Sequence, residues 1–224
     1  MKRVVTAELL DQDLGTPQEV SDSLLDLRRF NQSFGGFKSV AALLARVARQ
    51  TRSGSLAFLD VAGGTGDVAR HVARDLLSQG LEIRVTILDR AISHMSCQQI
   101  NRVAGDALAL PFSSNSFDVV GCNLFLHHLE PREMIGFFNE ALRLSRVAVV
   151  ASDLRRNLFH WLVASAGRFT YRSRITRNDA PASVRRAYTI EEVKAIAKQS
   201  SAVSWEIDRF YFQRFGLILW KGRQ

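Results

Sequence analysis

Apolar positions early in the chain recur at helical spacing and then give way to short unbroken runs. Val20, Leu24, Leu27 and Phe34 mark one face of a helix over residues 16–34. Thr16 and Glu19 open it as a capping box with Pro17 at the first helical position, and Gly35-Gly36 stops it. A second helix is expected from Ser39 to about Gln50. Residues 58–61 read as the end of a buried strand. Val68, Val72 and Leu76 then recur at i, i+4 and i+8 in a helix that Asp67 opens and Gly80 closes. Strands follow at 83–88, 100–103, 116–122 and 146–152, with a helix at 132–144 before the last of them. Thr189 and Glu192 form a capping box for a helix over 190–199. Two final strands, 203–212 and 215–220, are joined too tightly for a crossover and should pair as an antiparallel hairpin. The expected class is α/β: a three-layer sandwich around a mostly parallel seven-stranded sheet with an antiparallel C-terminal hairpin.

Composition narrows the setting. The chain has 224 residues, enough for one well-buried domain and short for two. No apolar run approaches the ~18–20 residues that cross a bilayer, and no signal peptide opens the chain, so a cytoplasmic location is expected. Cys97 and Cys122 are the only cysteines and lie in no metal-ligand spacing, so free buried thiols and no metal site are expected. Net charge is +8, and its location matters more than its size. Residues 155–186 hold eight arginines (155, 156, 168, 172, 174, 177, 185 and 186) against one acid, Asp179. Such a segment can meet nucleic acid, an anionic small substrate, an anionic membrane surface or an acidic partner, or simply be a solvated face.

The stretch FLDVAGGTGD at residues 58–67 carries the chemistry. Strand, glycine turn and helix together let a nucleotide-like ligand approach bare backbone and the positive end of a helix. Gly64 to Ala69 fits the dinucleotide pattern GxGxx[GA], with Asp89 about 20 residues further on where a ribose-binding acid belongs. A second acid, Asp106, closes the next strand in GDALALPF, and a dehydrogenase has no use for it. Asp67 reads as an acid favoured by the helix dipole, and Asp118 as an organiser of a strand entrance.

DVAGGTGD, Asp89, GDALALPF and FDVV together resemble the class I S-adenosylmethionine-dependent methyltransferases, across residues 56–152 and more loosely 190–222. AGGTGD, with alanine at the first glycine place, looks like the form in the ubiquinone/menaquinone biosynthesis C-methyltransferases. The resemblance implies a Rossmann-like methyltransferase fold with S-adenosyl-L-methionine as cofactor and S-adenosyl-L-homocysteine as product. Its cofactor set would be Asp60, the turn Ala62, Gly63, Gly64, Thr65 and Gly66, then Asp89 with Arg90, Asp106 with Ala107, and Asn123 with Leu124. By the resemblance, Gly64 and Gly66 line the methionine end and Asp60 supports its ammonium. Asp89 takes the ribose hydroxyls, Asp106 and the Ala107 backbone meet the adenine, and Asn123 and Leu124 lie beside the sulfonium. Residues 89–106 are shorter than that family's span, so the helix after the second strand should be cut to a turn or two.

For the acceptor, His127 and His128 follow the fourth strand and Asp153 ends the fifth; these are the candidate bases, with His127 first. The alternative is that His128 packs against the next helix while His127 sits at the surface. Residues 1–37 and 153–188 read as additions to a single domain over 1–224: an N-terminal helical lid and a basic substrate lid. Leu158, Trp161, Leu162 and Ser165 share one helix face, and Trp161, Tyr171 and Arg174 are the candidate substrate contacts. The function expected is methyl transfer to a small aromatic, polyketide-like or quinone-type acceptor, by oxygen in preference to carbon. That acceptor could be anionic or lipid-tailed, with peripheral membrane contact and no nucleic acid expected. An RNA methyltransferase using the arginine segment, and a non-catalytic binding protein on the cofactor fold, stay open. Oligomeric state is not fixed by the sequence.

Overall fold

Seven strands form one sheet in the order β3-β2-β1-β4-β5-β7-β6, in a computed structural model that describes residues 1–12, 14–91 and 100–222. The strands are β1 (Ser55–Val61), β2 (Glu82–Asp89), β3 (Asn101–Ala104), β4 (Phe117–Asn123), β5 (Ser145–Leu154), β6 (Ser204–Phe210) and β7 (Arg214–Trp220). The first five run parallel, while β7 lies antiparallel to both β5 and β6. The final pair is thus a hairpin whose second strand inserts beside β5.

Alternation along the central strands decides which layer each side chain enters. Leu59 and Val61 on β1 join Val120, Phe137, Phe138 and Val193 beneath α4 (Pro131–Leu144) and α7 (Ile190–Ala197). Leu56 and Phe58 face the other way, onto Leu44, Val47, Val72 and Leu76 of α2 (Gly36–Thr51) and α3 (Asp67–Ser78). Both faces of the sheet are covered, as an all-parallel centre requires.

Helix α1 (Pro17–Ser33) begins at the Thr16–Glu19 capping box, and Thr189–Glu192 caps α7 in the same way. Helix α2 starts earlier than the pattern suggests, at Gly36 rather than Ser39. Gly35 takes φ 77 to turn the chain, and Gly36 packs so close to Asn31 that a Cβ there would collide with it. The apolar face of α1 is also redirected: Leu24, Leu27 and Phe34 line an internal cavity instead of a solid core. The arginine-rich stretch folds into α5 (Leu158–Ala166) and α6 (Arg174–Arg186). Its single acid, Asp179, accepts the backbone N–H groups of Leu9 and Leu10, and Asp26 on α1 accepts those of Arg172 and Ser173. These bonds tie the N-terminal segment and α1 to α6.

Asp118 accepts the Ala57 N–H and pairs with Arg146, while Asp67 pairs with Arg70 at the start of α3. Cys122 is a buried free thiol. Cys97 and most of the shortened helix expected after β2 lie outside the described residues. Among the described residues, no helix is long and apolar enough to cross a membrane.

Candidate functional site

Between β1 and β4 the strand order reverses, the place where open α/β sheets bind ligands beyond their strand ends. A cavity of about 900 Å³ opens there. That is near the top of the ~300–1,000 Å³ range for small-molecule sites, and large enough for two ligands side by side. Its floor is the carboxyl end of the sheet; its roof is the N-terminal segment, α1, α5 and α6.

The turn after β1 is held in left-handed backbone at Ala62 (φ 56), Gly64 (φ 53) and Gly66 (φ 76). Alanine at the first of these pays a steric cost that glycine would avoid. Asp89, at the end of β2, accepts the Gly64 N–H at 2.7 Å and the Ala91 N–H at 2.9 Å, so it orders the turn from below. Asp106 accepts the Leu108 N–H and shapes the loop after β3. Ala62, Gly64, Asp89, Arg90, Asp106, Ala107 and Leu124 all line the cavity.

Five residues expected beside the cofactor are not part of the cavity lining. Asp60 is buried beneath the turn, close enough to Gly63 that a Cβ there would sit 2.9 Å from Asp60 Oδ2. Burial, reinforced by the Asp89 charge, raises the Asp60 carboxyl to about 7. It lies against the turn from the sheet side. Gly63 and Gly66 hold the backbone from behind, and the Thr65 hydroxyl bonds Asp67. Asn123 is drawn away by Asn31 and Arg214: its amide donates to Asn31 Oδ1 and its oxygen accepts from Arg214.

The candidate bases lie on and beside the single turn Leu126–His128 after β4. His127 is only 3% exposed, so the surface alternative for it is excluded. Its Nδ1 lies 2.7 Å from Asp153 Oδ1, and its backbone N–H donates to Asp153 Oδ2 at 3.0 Å. Burial pushes Asp153 up, but the His127 interactions and the Leu154 N–H outweigh it and hold the carboxyl below its ordinary value. An ionised Asp153 can only accept, so Nδ1 of His127 is the donor in this bond. Asp153 therefore has both carboxylate oxygens engaged by His127 and the Leu154 N–H.

Nε2 of His127 stands 3.7 Å from Glu8 Oε1, an oxygen with no hydrogen-bond partner. Burial, partly offset by His128, raises Glu8 to about 7. His128 Nδ1 bonds Asp11 Oδ2 at 2.7 Å, and its Nε2 lies 4.0 Å from Glu8 Oε2. Glu8, His127 and His128 thus bring three possible ligand atoms within 4.8 Å of one another, a grouping that no sequence spacing announced.

The substrate lid differs from expectation. Leu158, Phe159 and Leu162 of α5 are exposed, and His160, Val163 and Ala164 line the cavity instead. Trp161 is outside the cavity, and Arg174 is a surface residue paired with Glu19. Tyr171 does line the cavity, with its hydroxyl donating to Ala164 O. Of the eight lid arginines, Arg155, Arg156, Arg174, Arg177 and Arg186 are hydrogen-bonded within the protein. The charge run is largely consumed by lid packing. Sequence reasoning missed Glu8, Phe30, Phe212 and Arg214, which line the cavity, and Asn31, which holds Arg214; none lies in a motif, and only the fold brings them together.

Comparison with known proteins agrees with this fold. The family described as "Methyltransferase domain" matches residues 58–147. A demethylmenaquinone methyltransferase of Roseiflexus castenholzii is 33% identical over 92 residues, 40% of this chain and 38% of the relative. The ubiquinone/menaquinone biosynthesis C-methyltransferase UbiE of Roseobacter denitrificans is 37% identical over 101 residues, again 38% of its length. The chain thus matches well under half the length of these curated relatives. Among solved structures, the plantazolicin methyltransferase BpumL, in complex with SAH and a pentazolic desmethylPZN analog, superposes with TM-score 0.72 over 96% of this chain and 95% of that one, at 13% identity. The shared part is the class I methyltransferase fold.

Proposed function

We propose that this class I, S-adenosylmethionine-dependent methyltransferase domain methylates an oxygen of a small aromatic or quinone-type acceptor held under the α1–α5–α6 roof. The reading rests on one observation above others: His127, paired with Asp153, lines the same cavity as the glycine turn. The residues fit the cofactor. Acids close β2 and β3, Gly64 offers bare backbone, and no lysine-bearing phosphate loop is present for a ligand that carries no phosphate.

When bound, the cofactor supplies a methyl group already activated by a sulfonium, and the electron pair of the broken C–S bond stays on sulfur. The protein has to align the acceptor and remove its proton. Alignment is worth up to ~7–11 kcal/mol, and a positioned base ~10²–10⁴-fold. His127 Nε2 takes the hydroxyl proton as the oxygen attacks the methyl carbon. Asp153 stabilises the resulting imidazolium and keeps the ring oriented. Glu8, within 4 Å of both histidines and with a carboxyl near 7, passes that proton towards His128 and Asp11 at the cavity edge. Phe30, Phe34, Tyr171 and Phe212 give a flat ring its apolar walls.

The alternatives fare less well. The lid arginines that would make an RNA footprint are mostly bonded internally. A non-catalytic scaffold has no need of the His127–Asp153 pair. Peripheral membrane contact keeps one supporting feature, the exposed Leu158, Phe159, Leu162 and Phe169 beside Arg168.

The test is calorimetry with S-adenosylhomocysteine and with NADH, followed by methyl transfer from labelled cofactor to a panel of phenols and hydroxyquinones. Micromolar-range product binding and labelled ethers are expected. Binding of NADH instead, or label on carbon only, overturns the reading.

A further inference from the structure

Arg214 is 1% exposed, the largest of the fully buried side chains, and it lines the cavity. A buried guanidinium ordinarily sits on a carboxylate, because taking its charge out of water without one costs several kcal/mol. Here the two partners are neutral: Nη1 donates to Asn123 Oδ1 at 3.1 Å and Nη2 to Asn31 Oδ1 at 3.0 Å. Among the described residues no ion pair of Arg214 lies within 4.0 Å. Asp153 is the acid that feels its charge, but that carboxylate is committed to His127 and to the backbone of His127 and Leu154. Nε of Arg214 has no partner at all. Two of its five N–H donors are therefore bonded to side chains, and Nε is buried without a partner.

The surroundings fix the guanidinium. The Asn123 amide donates to Asn31 Oδ1, closing a small ring of amides and guanidinium that locks both acceptor oxygens onto Arg214. Arg214 follows Phe212 and Gln213, both in left-handed backbone (φ 47 and 56), so the hairpin turn before β7 is bent to deliver it. Burial lowers its pKa to about 10, with Asp153 offsetting part of the shift; the group is a cation at neutral pH.

We propose that Arg214, held by Asn31 and Asn123, is the seat for an anionic group of the acceptor, a carboxylate or an acidic enolate or phenolate borne on its ring. This deepens the acceptor reading given above and rests on it. It also moves the expected anion contact from the lid arginines to the sheet. A carboxylate would take the free donors in a charge-assisted fork, replacing the missing counter-ion. Its charge would then be balanced inside the cavity with no surface arginine involved.

The seat is tested on the protein saturated with S-adenosylhomocysteine, using 4-hydroxybenzoate and 4-hydroxybenzamide, which share a shape and differ in charge. The carboxylate is expected to bind about tenfold tighter near neutral pH, and the preference to persist at high salt because the pair is buried. Arg214→Met should erase the preference, and Arg214→Lys, which keeps the charge but loses the fork, should restore part of it. Equal binding of the two probes to the unmutated protein overturns the seat without needing any variant to fold, as does a preference that survives in R214M. Binding of S-adenosylhomocysteine is read in the same titrations. Its presence with equal probe binding sinks only the seat, whereas its absence sinks the methyltransferase reading.

Discussion

His127 and Asp153 are joined twice, through the imidazole Nδ1 at 2.7 Å and through the backbone N–H at 3.0 Å. The second bond fixes the carboxylate even when the ring moves, so the pair forms a rigid unit across the ends of β4 and β5. His127→Ala should lower kcat on a phenolic acceptor by ~10²–10⁴-fold with little change in cofactor affinity. Asp153→Asn should cost nearly as much, since an amide can present its N–H to Nδ1 and select the wrong tautomer. In both variants the rising limb of the pH–rate profile should flatten. An unchanged profile in H127A would remove the base from the mechanism.

Asp60 is held protonated well above its usual range by burial and by Asp89, with a carboxyl near 7. The folded state then binds a proton that the unfolded state has released, from about pH 4 up to about pH 7. Its contribution favours folding at the acid end and is lost as pH rises through 7. Asp60→Asn should gain stability over the wild-type protein across that window, on the order of a few kcal/mol by pH ~8. Thermal melts at stepped pH read this directly; parallel curves for the two proteins would show Asp60 to be ionised throughout.

Gly63 touches no part of the cavity, yet its replacement should damage cofactor binding. An added Cβ would meet Ile87 Cγ2 at 2.8 Å and Asp60 Oδ2 at 2.9 Å, both packed inside the sheet. Gly63→Ala should cost ~1–3 kcal/mol of stability and displace the turn that carries Gly64. Titration with S-adenosylhomocysteine should record at least a severalfold loss, and wild-type affinity in G63A contradicts the account of the turn.

Asp89→Ala removes two supports at once, the expected ribose contact and the acceptor for the Gly64 and Ala91 N–H groups. Calorimetric binding of S-adenosylhomocysteine should disappear, with a stability loss of only ~1–2 kcal/mol from the orphaned donors. Retained binding would mean the cofactor lies elsewhere in the cavity.

The outer face of α5 predicts behaviour at a lipid surface. Co-sedimentation with anionic vesicles should be measurable for the wild-type protein and absent in Leu162→Glu, whose catalytic rate on a water-soluble acceptor should be unaltered. Equal sedimentation of both would leave this face with no membrane role.

Local chemistry made much of this legible in advance. Capping at Thr16 and Thr189, the 3.6-residue rhythm of Val68, Val72 and Leu76, and the glycine turn are each written within a dozen residues, so element order could be read directly. Periodicity also identified the apolar faces of α1 and α5, but it could not say what those faces would meet. Leu24 and Leu27 turned to a cavity, and Leu158 and Leu162 to solvent. Likewise the arginine run was plain as composition, whereas its consumption by Glu19, Glu192 and backbone carbonyls needed the packed lid.

The sequence by itself determined an α/β sandwich with an antiparallel hairpin and an acid closing each of β2 and β3, because backbone preference and side-chain spacing act over short range. Only the tertiary structure decided what stands across the cavity from the glycine turn. It brought Glu8 to His127 and set Arg214 against Asn31, 183 residues away, with neutral amide oxygens as its printed hydrogen-bond partners. Such meetings depend on how helices cross a sheet, and the burial that gives them their chemistry does not exist until the chain has closed around them.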